Sequence, residues 1–383
     1  MRVPPYSGVI LMAYYTATDA LSVDMRWNLE GLWSGTVTTR TPTQFIIEVG
    51  GGFVEHVAGT DLSYDALGHP VSGTINSISE HEIYQGVDYT DVTVSGIAIS
   101  AAQLLDWART GDNASALQAI FGGDDVLTGS PGNDYLTGLG GHDVVFGGEG
   151  SDTLLGGEGN DHLYGQSPSG GSDGADLISG GNGSDYLQGN AGNDTLDGGA
   201  GSDRINGGSD NDSITGGDGN DTVNGNRGND SITGDNGNDS LRGGQGDDTI
   251  SGGAGADQIS GDKGTDLLTG GAGNDIFRFA AGDAAIVAGK TDIITDYEHG
   301  ADHILLDFTP VAILTGSAQA SFAAAHTLAQ ALFDAHVGDH EIAGITVGAD
   351  AYLFFAGDGG GTIDSAVLLQ GASASAINVA DFV

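Results

Sequence analysis

The sequence predicts a mainly β fold, in which a parallel β-roll follows a small α+β domain and is closed by a β-rich C-terminal cap with one helix. Three observations lead to this prediction. A nine-residue period runs through residues 120–278, glycine recurs at set positions of each period, and one apolar residue recurs near its end. Such a period marks a repeat architecture in which each unit stacks on the next. We therefore expect three domains, at residues 1–119, 120–278 and 279–383.

Within the roll, each period contains a turn and a very short strand. Gly147–Leu155 reads GGEGSDTLL and is followed at once by Gly156–Tyr164, which reads GGEGNDHLY. Glycines at positions one, two and four permit the positive φ angles of a tight turn. The triplet around position eight forms a strand with one side chain directed inward. Two periods make one coil, and stacked coils bury a continuous ladder of Leu, Ile and Val.

Position six of each period is aspartate, and stacking places these carboxylates in rows along the edges of the roll. Like charges in a row repel, and no basic ladder is expected to face them. Calcium is the fitting counter-ion because it accepts carboxylate and carbonyl oxygens in flexible geometry, whereas magnesium demands a stricter octahedron. The predicted metal ligands are Asp125, Asp134, Asp143, Asp152, Asp161, Asp176, Asp185, Asp194, Asp203, Asp212, Asp221, Asp230, Asp239, Asp248, Asp257, Asp266 and Asp275.

The phrase G-G-x-G-x-D-x-U-x, in which U is apolar, resembles the RTX or hemolysin-type calcium-binding repeat. The resemblance implies a parallel β-roll that binds several calcium ions. Without calcium, the Gly- and Asp-rich composition favours a disordered segment instead. The frame breaks once, at an insert over residues 165–170 that should loop out from a turn. Asp210 replaces a fourth-position glycine, at a place where Asp tolerates positive φ.

Residues 1–119 have an ordinary composition and are predicted to form the α+β domain. Asp19 is placed to cap a helix whose apolar face includes Leu21, Met25 and Leu29. Strands are predicted at 35–39, 44–49, 52–57, 61–64, 71–78 and 91–99, and further helices at 100–107 and 114–121. The domain has no H-E-x-x-H, G-x-S-x-G or P-loop motif, so we expect no enzyme.

Three stretches of this domain, at 57–66, 91–97 and 109–120, resemble the secreted bacterial haem carriers known as haemophores. The resemblance implies a curved antiparallel sheet with helices on one side. It also implies that Tyr64, which follows the Asp-Leu-Ser step, ligates haem iron and that His69 supports it. Haem is therefore a candidate cofactor beside calcium.

After residue 278 the nine-residue period stops, and longer strands and turns follow. The region resembles the segment that closes the β-roll in serralysin-type proteins, and Phe277 and Phe279 are suited to plug that end. A helix is predicted at 317–336 and a hairpin from 351–355 and 365–369. The last residues, Ala380–Val383, place an acidic residue before apolar ones, which resembles the uncleaved signal of type I secretion substrates.

Charge and composition restrict the partners. The 383 residues include 10 Lys and Arg against 53 Asp and Glu, a formal net charge of −43, which disfavours nucleic acid because phosphates would be repelled. Cysteine is absent, so no disulfide or thiolate ligand contributes. No apolar run is long enough to span a bilayer, and the N-terminus does not read as a cleaved signal peptide.

These features predict a secreted, extracellular bacterial protein that is exported by type I secretion machinery and folds when it meets calcium. Its expected role is a scaffold or a binding module for cell-surface or matrix components. One alternative is that the N-terminal domain binds haem or another small ligand. The other is a secreted enzyme, since RTX repeats often follow catalytic domains.

Overall fold

A computed structural model describes residues 122–129, 131–166, 173–280, 283, 290–336, 341–355 and 362–383, together with the backbone of seven strands between residues 12 and 100. The described chain is mainly β and includes about eight turns of parallel β-solenoid and one α-helix near the C-terminus. It forms two compact units, Met1–Asn190 and Ala191–Val383, which we describe in turn.

The first unit begins with seven strands, named β1–β7 in chain order: Met12–Tyr15, Leu21–Asp24, Thr36–Thr41, Gln44–Glu48, Phe53–Tyr64, Pro70–Tyr84 and Val87–Ser100. β3 to β7 pair with their sequence neighbours in an antiparallel meander. β1 and β2 form a separate antiparallel hairpin. β7 then pairs antiparallel with β8 (Val126–Thr128), the first strand of the roll, so the meander continues one of its sheets.

The predicted strands of this region are present, most of them with longer bounds, although β4 ends one residue earlier than predicted. The runs predicted at 52–57 and 61–64 form the single strand β5, interrupted by bulges where its register against β6 shifts. The prediction of a helix after Asp19 is wrong for its first turn. Leu21–Asp24 is instead strand β2, which pairs with Met12–Tyr15. There, hydrogen bonding to a neighbouring strand outweighs the helical spacing of the apolar residues. Ser100, where one predicted helix begins, is the last residue of β7, and the remaining residues of the helices predicted at 100–107 and 114–121 lie outside the described residues.

In the first unit the roll continues through strands β9–β14: Tyr135–Gly140, Val144–Gly148, Thr153–Glu158, His162–Gln166, Leu177–Asn182 and Tyr186–Ala191. Strands two apart in sequence pair in parallel, which gives two sheets. The register is 18 residues where Val145 faces Leu163, and 24 where Leu154 faces Ile178. The six-residue insert is thus accommodated between β12 and β13 without breaking the ladder, although Gln166 still belongs to β12.

The second unit contains strands β15–β24 of the roll: Thr195–Ala200, Arg204–Ser209, Ser213–Asp218, Thr222–Arg227, Ser231–Asn236, Ser240–Gln245, Thr249–Ala254, Gln258–Lys263, Leu267–Ala272 and Ile276–Phe279. Strands two apart again pair in parallel, with an 18-residue register such as Ile214 opposite Ile232. The geometry is regular because each pair of nonapeptides has the same length and the same turns.

The core of both units is the predicted apolar ladder. Each strand contributes one side chain from position eight, and none of these side chains is more than 2% exposed. They are Leu127, Leu136, Val145, Leu154, Leu163, Ile178, Leu187, Leu196, Ile205, Ile214, Val223, Ile232, Leu241, Ile250, Ile259, Leu268 and Phe277. A fold so narrow buries one side chain per strand, so each contact in the ladder contributes to stacking the coils.

The C-terminal cap contains strands β25–β30: Asp292–Ile294, His303–Leu306, Ala312–Thr315, Glu341–Val347, Asp350–Phe355 and Ser365–Leu369. β25 and β26 extend the two parallel sheets, with Ile294 opposite Leu268 and Ile304 opposite Phe277. Phe277 and Phe279 are buried as predicted, but β26 lies beyond them, so they are not the last layer. β29 and β30 form the predicted hairpin.

One helix, α1 (Phe322–Ala335), covers the cap, and the side-chain oxygen of Ser321 accepts a hydrogen bond from the Ala324 N–H at its start. The helix starts later than predicted because Ser321, its N-cap residue, still has extended backbone angles. It buries Ala325, Ala329 and Phe333 against the cap sheet. None of the helices in the described residues is both long enough and apolar enough to cross a bilayer.

The ladder yields a stability prediction. Ile232→Ala removes a side chain that is 1% exposed in mid-roll and leaves a cavity between two coils. We expect the calcium-loaded protein to lose about 2–5 kcal/mol in its free energy of unfolding, measured by urea denaturation at fixed calcium. Ser231→Ala, on the exposed face of the same strand, is the control and should change it by less than about 0.5 kcal/mol. Equal effects of the two substitutions would contradict the ladder as the source of stability.

Candidate metal centre

The predicted metal-ligand aspartates all lie in turns that lead into a strand, and all are at most 3% exposed. Within each unit they form two rows, one beside each sheet. In the second unit one row includes Asp194, Asp212 and Asp230, and the other includes Asp203 and Asp221. The nine-residue period produces this arrangement because alternate aspartates precede strands of the same sheet.

One carboxylate oxygen of each row member joins neighbouring coils. The Asp203 N–H donates to Asp221 Oδ1 at 2.8 Å, and the Asp212 N–H donates to Asp230 Oδ1 at 2.9 Å. The Asp203 carbonyl in turn accepts from the Thr222 N–H at 2.9 Å. The side chain of each aspartate therefore satisfies the backbone donor of the coil before it, and buried donors of this kind are costly to leave without an acceptor.

The second oxygen, Oδ2, is buried and has no hydrogen-bond partner at a series of row positions. These are Asp125, Asp143, Asp152, Asp161, Asp212, Asp221, Asp230, Asp239, Asp248, Asp257, Asp266 and Asp275. A buried charged oxygen without a donor is strongly unfavourable unless a cation is bound beside it. Because the buried Oδ2 without a partner recurs along both rows, it is a property of the repeat and not a local defect.

Backbone carbonyls lie close to these carboxylate oxygens, and glycine makes the approach possible. A Cβ placed on Gly198 would lie 2.5 Å from the Gly216 carbonyl oxygen and 2.6 Å from Asp203 Oδ2, so any larger residue would displace both. Gly219, at position four, has φ 136°, and a Cβ there would overlap the Gly201 carbonyl oxygen. Both positions therefore need glycine, the first for space and the second also for its backbone conformation.

A second ladder, which the sequence analysis did not identify, runs through the exposed fifth position. The Asn211 N–H donates to Asn193 Oδ1 at 2.9 Å, and the Asn229 N–H donates to Asn211 Oδ1 at 2.6 Å. These bonds run from each coil to the preceding one, opposite in direction to those of the aspartate rows. The sequence did carry a signal for this ladder, because Asn, Asp or Ser frequently stands at position five, just before the Asp of position six. Short polar side chains of this kind bond readily to nearby backbone.

The aspartate rows also extend beyond the nonapeptides, which the sequence analysis missed. Asp292 Oδ1 accepts from the Asp266 N–H at 3.0 Å, its Oδ2 is buried without a partner, and the residue is 0% exposed. Asp302 Oδ1 accepts from the Asp275 N–H at 3.1 Å. The signal was present in the Asp-x-Ile phrase that precedes both β25 and β26, although the glycines of the repeat are absent there.

Burial makes the charged form of these carboxylates unfavourable. Desolvation, opposed in part by the backbone hydrogen bond and reinforced by neighbouring carboxylates, raises the pKa of Asp152 and of Asp212 to about 8. The same causes raise the pKa of Asp239 and of Asp275 to about 6. In the folded roll without metal, these carboxyls would bind protons more readily than exposed ones, whereas in the unfolded chain they are charged at neutral pH. A cation that binds the folded rows would displace the protons they hold.

The donor set fits calcium. Among the side chains that the structure describes, no three His, Cys, Asp or Glu residues gather closely enough to hold a metal ion. The oxygens available at the rows are those of the aspartates and of backbone carbonyls such as that of Gly216, which lies beside Asp203. An all-oxygen set rich in carbonyls, without nitrogen or sulfur, suits calcium better than zinc or other transition metals.

The haem ligands proposed for the N-terminal domain stay a prediction. Tyr64 is the last residue of β5, and its backbone pairs with Pro70 at the start of β6. His69, which precedes Pro70, lies outside the described residues. The antiparallel strands β3–β7 agree with the kind of sheet that the resemblance to haemophores implies.

The stacked glycine turns and the rows of buried aspartates define a calcium-binding parallel β-roll. Comparison with known families agrees, because the family described as the RTX calcium-binding nonapeptide repeat matches this chain in six segments, some of which overlap. They are residues 121–154, 146–167, 170–205, 197–232, 233–268 and 251–284. The chain therefore carries RTX calcium-binding repeats. No protein of curated function matches it.

Several solved structures are similar to parts of the chain. Two are the AlgE6R3 and AlgE6R2 subunits of the mannuronan C5-epimerase from Azotobacter vinelandii. Both are 24% identical over 46% of this chain, which spans 78% and 89% of them, with TM-scores of 0.27 and 0.26. The extracellular lipase LipA from Serratia marcescens is 15% identical over 68% of this chain, which spans 38% of the lipase, with a TM-score of 0.21.

The raised pKa values predict how the calcium-free protein responds to acid. A carboxyl with a raised folded-state pKa favours folding while it is protonated. That contribution is complete below the unfolded pKa of about 3.9 and is lost as pH rises through the folded-state values of about 6 to 8. We therefore expect the chelated protein to gain β signal in far-UV circular dichroism between pH 8 and pH 4. An unchanged spectrum over this range would contradict the burial of the rows.

Proposed function

We propose that this chain is a secreted protein whose β-roll folds on extracellular calcium and then serves as a scaffold or binding module at a cell surface or in a matrix. The observation that carries the proposal is the repeated buried Oδ2 without a hydrogen-bond partner, exemplified by Asp221. The finding that the chain carries RTX calcium-binding repeats supports the choice of ion. We propose the predicted division into domains at 1–119, 120–278 and 279–383 as the functional organisation.

Calcium would act on folding through the residues already described. It supplies positive charge at rows of carboxylates that repel one another when metal-free. Aspartate Oδ2 atoms and glycine carbonyls would hold it, while each Oδ1 keeps its hydrogen bond to the preceding coil, as in the pair Asp203 and Asp221. An ion that binds only the folded chain stabilises it by mass action, and many linked sites make the transition steep.

This coupling suits export. In a cytosol poor in calcium, the rows remain mutually repulsive and the roll stays unfolded, which favours passage through type I secretion machinery. Extracellular calcium modules bind at about 10⁻⁴–10⁻³ M, a range met outside the cell. The proposed sequence of events is therefore synthesis as an unfolded roll, secretion, and folding on arrival.

We propose a binding role rather than an enzymatic one. The N-terminal domain has no H-E-x-x-H, G-x-S-x-G or P-loop motif. The buried carboxylates of the roll accept hydrogen bonds from neighbouring coils, as Asp221 does from the Asp203 N–H, which supports a role in holding the coils and calcium. The exposed faces of the sheets are left for contact with a partner, such as a component of the cell surface or matrix.

A calcium titration tests the folding proposal. Far-UV circular dichroism should show a steep gain of β signal in the millimolar range, and Asp221→Asn should raise the calcium midpoint several-fold. Asn keeps the Oδ1 acceptor for the Asp203 N–H but removes the charge on the oxygen that would hold the ion.

The matched control is Asp218→Asn, which alters an exposed carboxylate in the same turn that accepts a hydrogen bond from Asn236 Nδ2. It should leave the midpoint almost unchanged, as should Ser167→Ala in the insert. A spectrum that does not depend on calcium, or equal shifts for Asp221→Asn and Asp218→Asn, would refute the proposal.

A second candidate function is haem binding by the N-terminal domain. It rests on the resemblance to haemophores and on the backbone pairing of Tyr64 with Pro70, which brings the residue after His69 opposite the proposed ligand. Haemin added to the purified protein should then give a shifted Soret band that Tyr64→Ala removes, with Tyr84→Ala as the control. Absence of a band, or a band equally strong in Tyr64→Ala, would exclude this site.

A further inference from the structure

The outward face of β18, β20, β22 and β24 forms an open groove of about 600 Å³ in the second unit. The groove is lined by four basic side chains, which are Arg227, Arg242, Lys263 and Arg278. Two carboxylates, Asp262 and Asp283, also line it. The whole sequence has only 10 Lys and Arg against 53 Asp and Glu, so this groove reverses the charge of its surroundings.

The strand register arranges these side chains in columns across the strands. Arg227, Gln245 and Lys263 occupy one column, one residue from each of β18, β20 and β22. Strands in a sheet are about 4.8 Å apart, so the two cations of this column are about 10 Å apart with a neutral amide between them. Arg242 and Arg278, on β20 and β24, are likewise two strands apart.

The cations are available to a partner. The side chains of Arg242 and Arg278 are 63% and 61% exposed. Arg242 contacts Asp262, and Arg278 approaches Asp307 only to 4.0 Å. Arg227 and Lys263 are exposed, and neither forms an ion pair within the described part of the chain.

The groove does not suit a peptide or a nucleic acid. Its strands are hydrogen-bonded on both sides, so no free edge remains to which a peptide strand could be added. In its lining, Leu241 and Ile259 are buried in the core ladder. Ile276 and Leu305 are half-buried, so each offers a peptide side chain only part of its apolar surface. Double-stranded nucleic acid carries one negative charge for about every 1.7 Å of its axis, a spacing that basic side chains about 10 Å apart do not match.

Sugars fit the remaining chemistry. The neutral lining consists of amides and hydroxyls, such as Asn224, Gln258 and Ser260, which can both donate to and accept from sugar hydroxyls. Guanidinium groups bind carboxylates through two parallel hydrogen bonds. A polymer that runs across the strands would meet a cation at every second strand and a neutral polar side chain between.

We propose that this groove binds an extended acidic polysaccharide that lies across the strands and directs a carboxylate of every second sugar unit toward a basic side chain. The inference specifies the partner of the binding role proposed above and rests on it, because the groove exists only when the roll is folded. A neutral polysaccharide lacks the charge, and an acidic peptide lacks the hydroxyls.

Calorimetric titration of the full chain at fixed millimolar free calcium tests the inference. The probe is a hyaluronan oligosaccharide, which carries a carboxylate on every second sugar, compared with a dextran oligosaccharide and with poly-glutamate. We expect hyaluronan to bind more tightly than either. The double variant Arg227→Gln with Lys263→Gln should bind it at least about tenfold more weakly, since it loses two charge-assisted contacts without breaking an ion pair.

The control removes two charges that do not line the groove, by Arg204→Gln with Lys290→Gln, and should bind as the unchanged protein does, although Lys290 loses its ion pair with Asp247. Circular dichroism on each sample establishes that the roll is folded. A folded protein that fails to bind hyaluronan, binds poly-glutamate as tightly, or is weakened equally by both double variants overturns the groove inference alone. A protein that gains no β signal with calcium overturns the proposed function and the groove together.

Discussion

The structure depends on the buried aspartate that precedes each strand. One oxygen of its carboxylate accepts a hydrogen bond from the backbone of the previous coil, as Asp221 does from the Asp203 N–H. The other is buried where the described protein supplies no donor. The same side chain thus holds two coils together and creates the need for a cation. Stacking and the demand for a cation are therefore two consequences of one residue.

Glycine allows this arrangement because the turns leave no room for side chains. Where a residue other than glycine adopts positive φ in the turns, it is most often Asn or Asp, as at Asn226, Asp210 and Asp235. Their short polar side chains tolerate this conformation better than others. Leu139, with φ 66°, is the exception in the first unit. The predicted tolerance of Asp210 is confirmed by its φ of 77°.

Charge is distributed for two purposes along the roll. Acidic side chains in the turns are buried in rows, where burial and neighbouring carboxylates disfavour their charged form. The few basic side chains of the second unit instead lie on an outward sheet face, where Arg227 and Lys263 share a column of the register. Because turns and sheet faces come from different positions of the nonapeptide, one repeat can vary its surface without disturbing its ion-binding turns.

The sequence by itself determined the roll, since a strict period dictates which residues stack: the position-eight ladder and the aspartate rows both follow from it. It could not determine features that depend on pairing between distant residues. Helical spacing near Leu21 suggested a helix, but pairing with another strand makes it β2. Asp292 and Asp302 join the rows at separations of 26 and 27 residues, and the basic groove arises from register. Only the tertiary structure sets these, because the period carries no information about contacts made outside it.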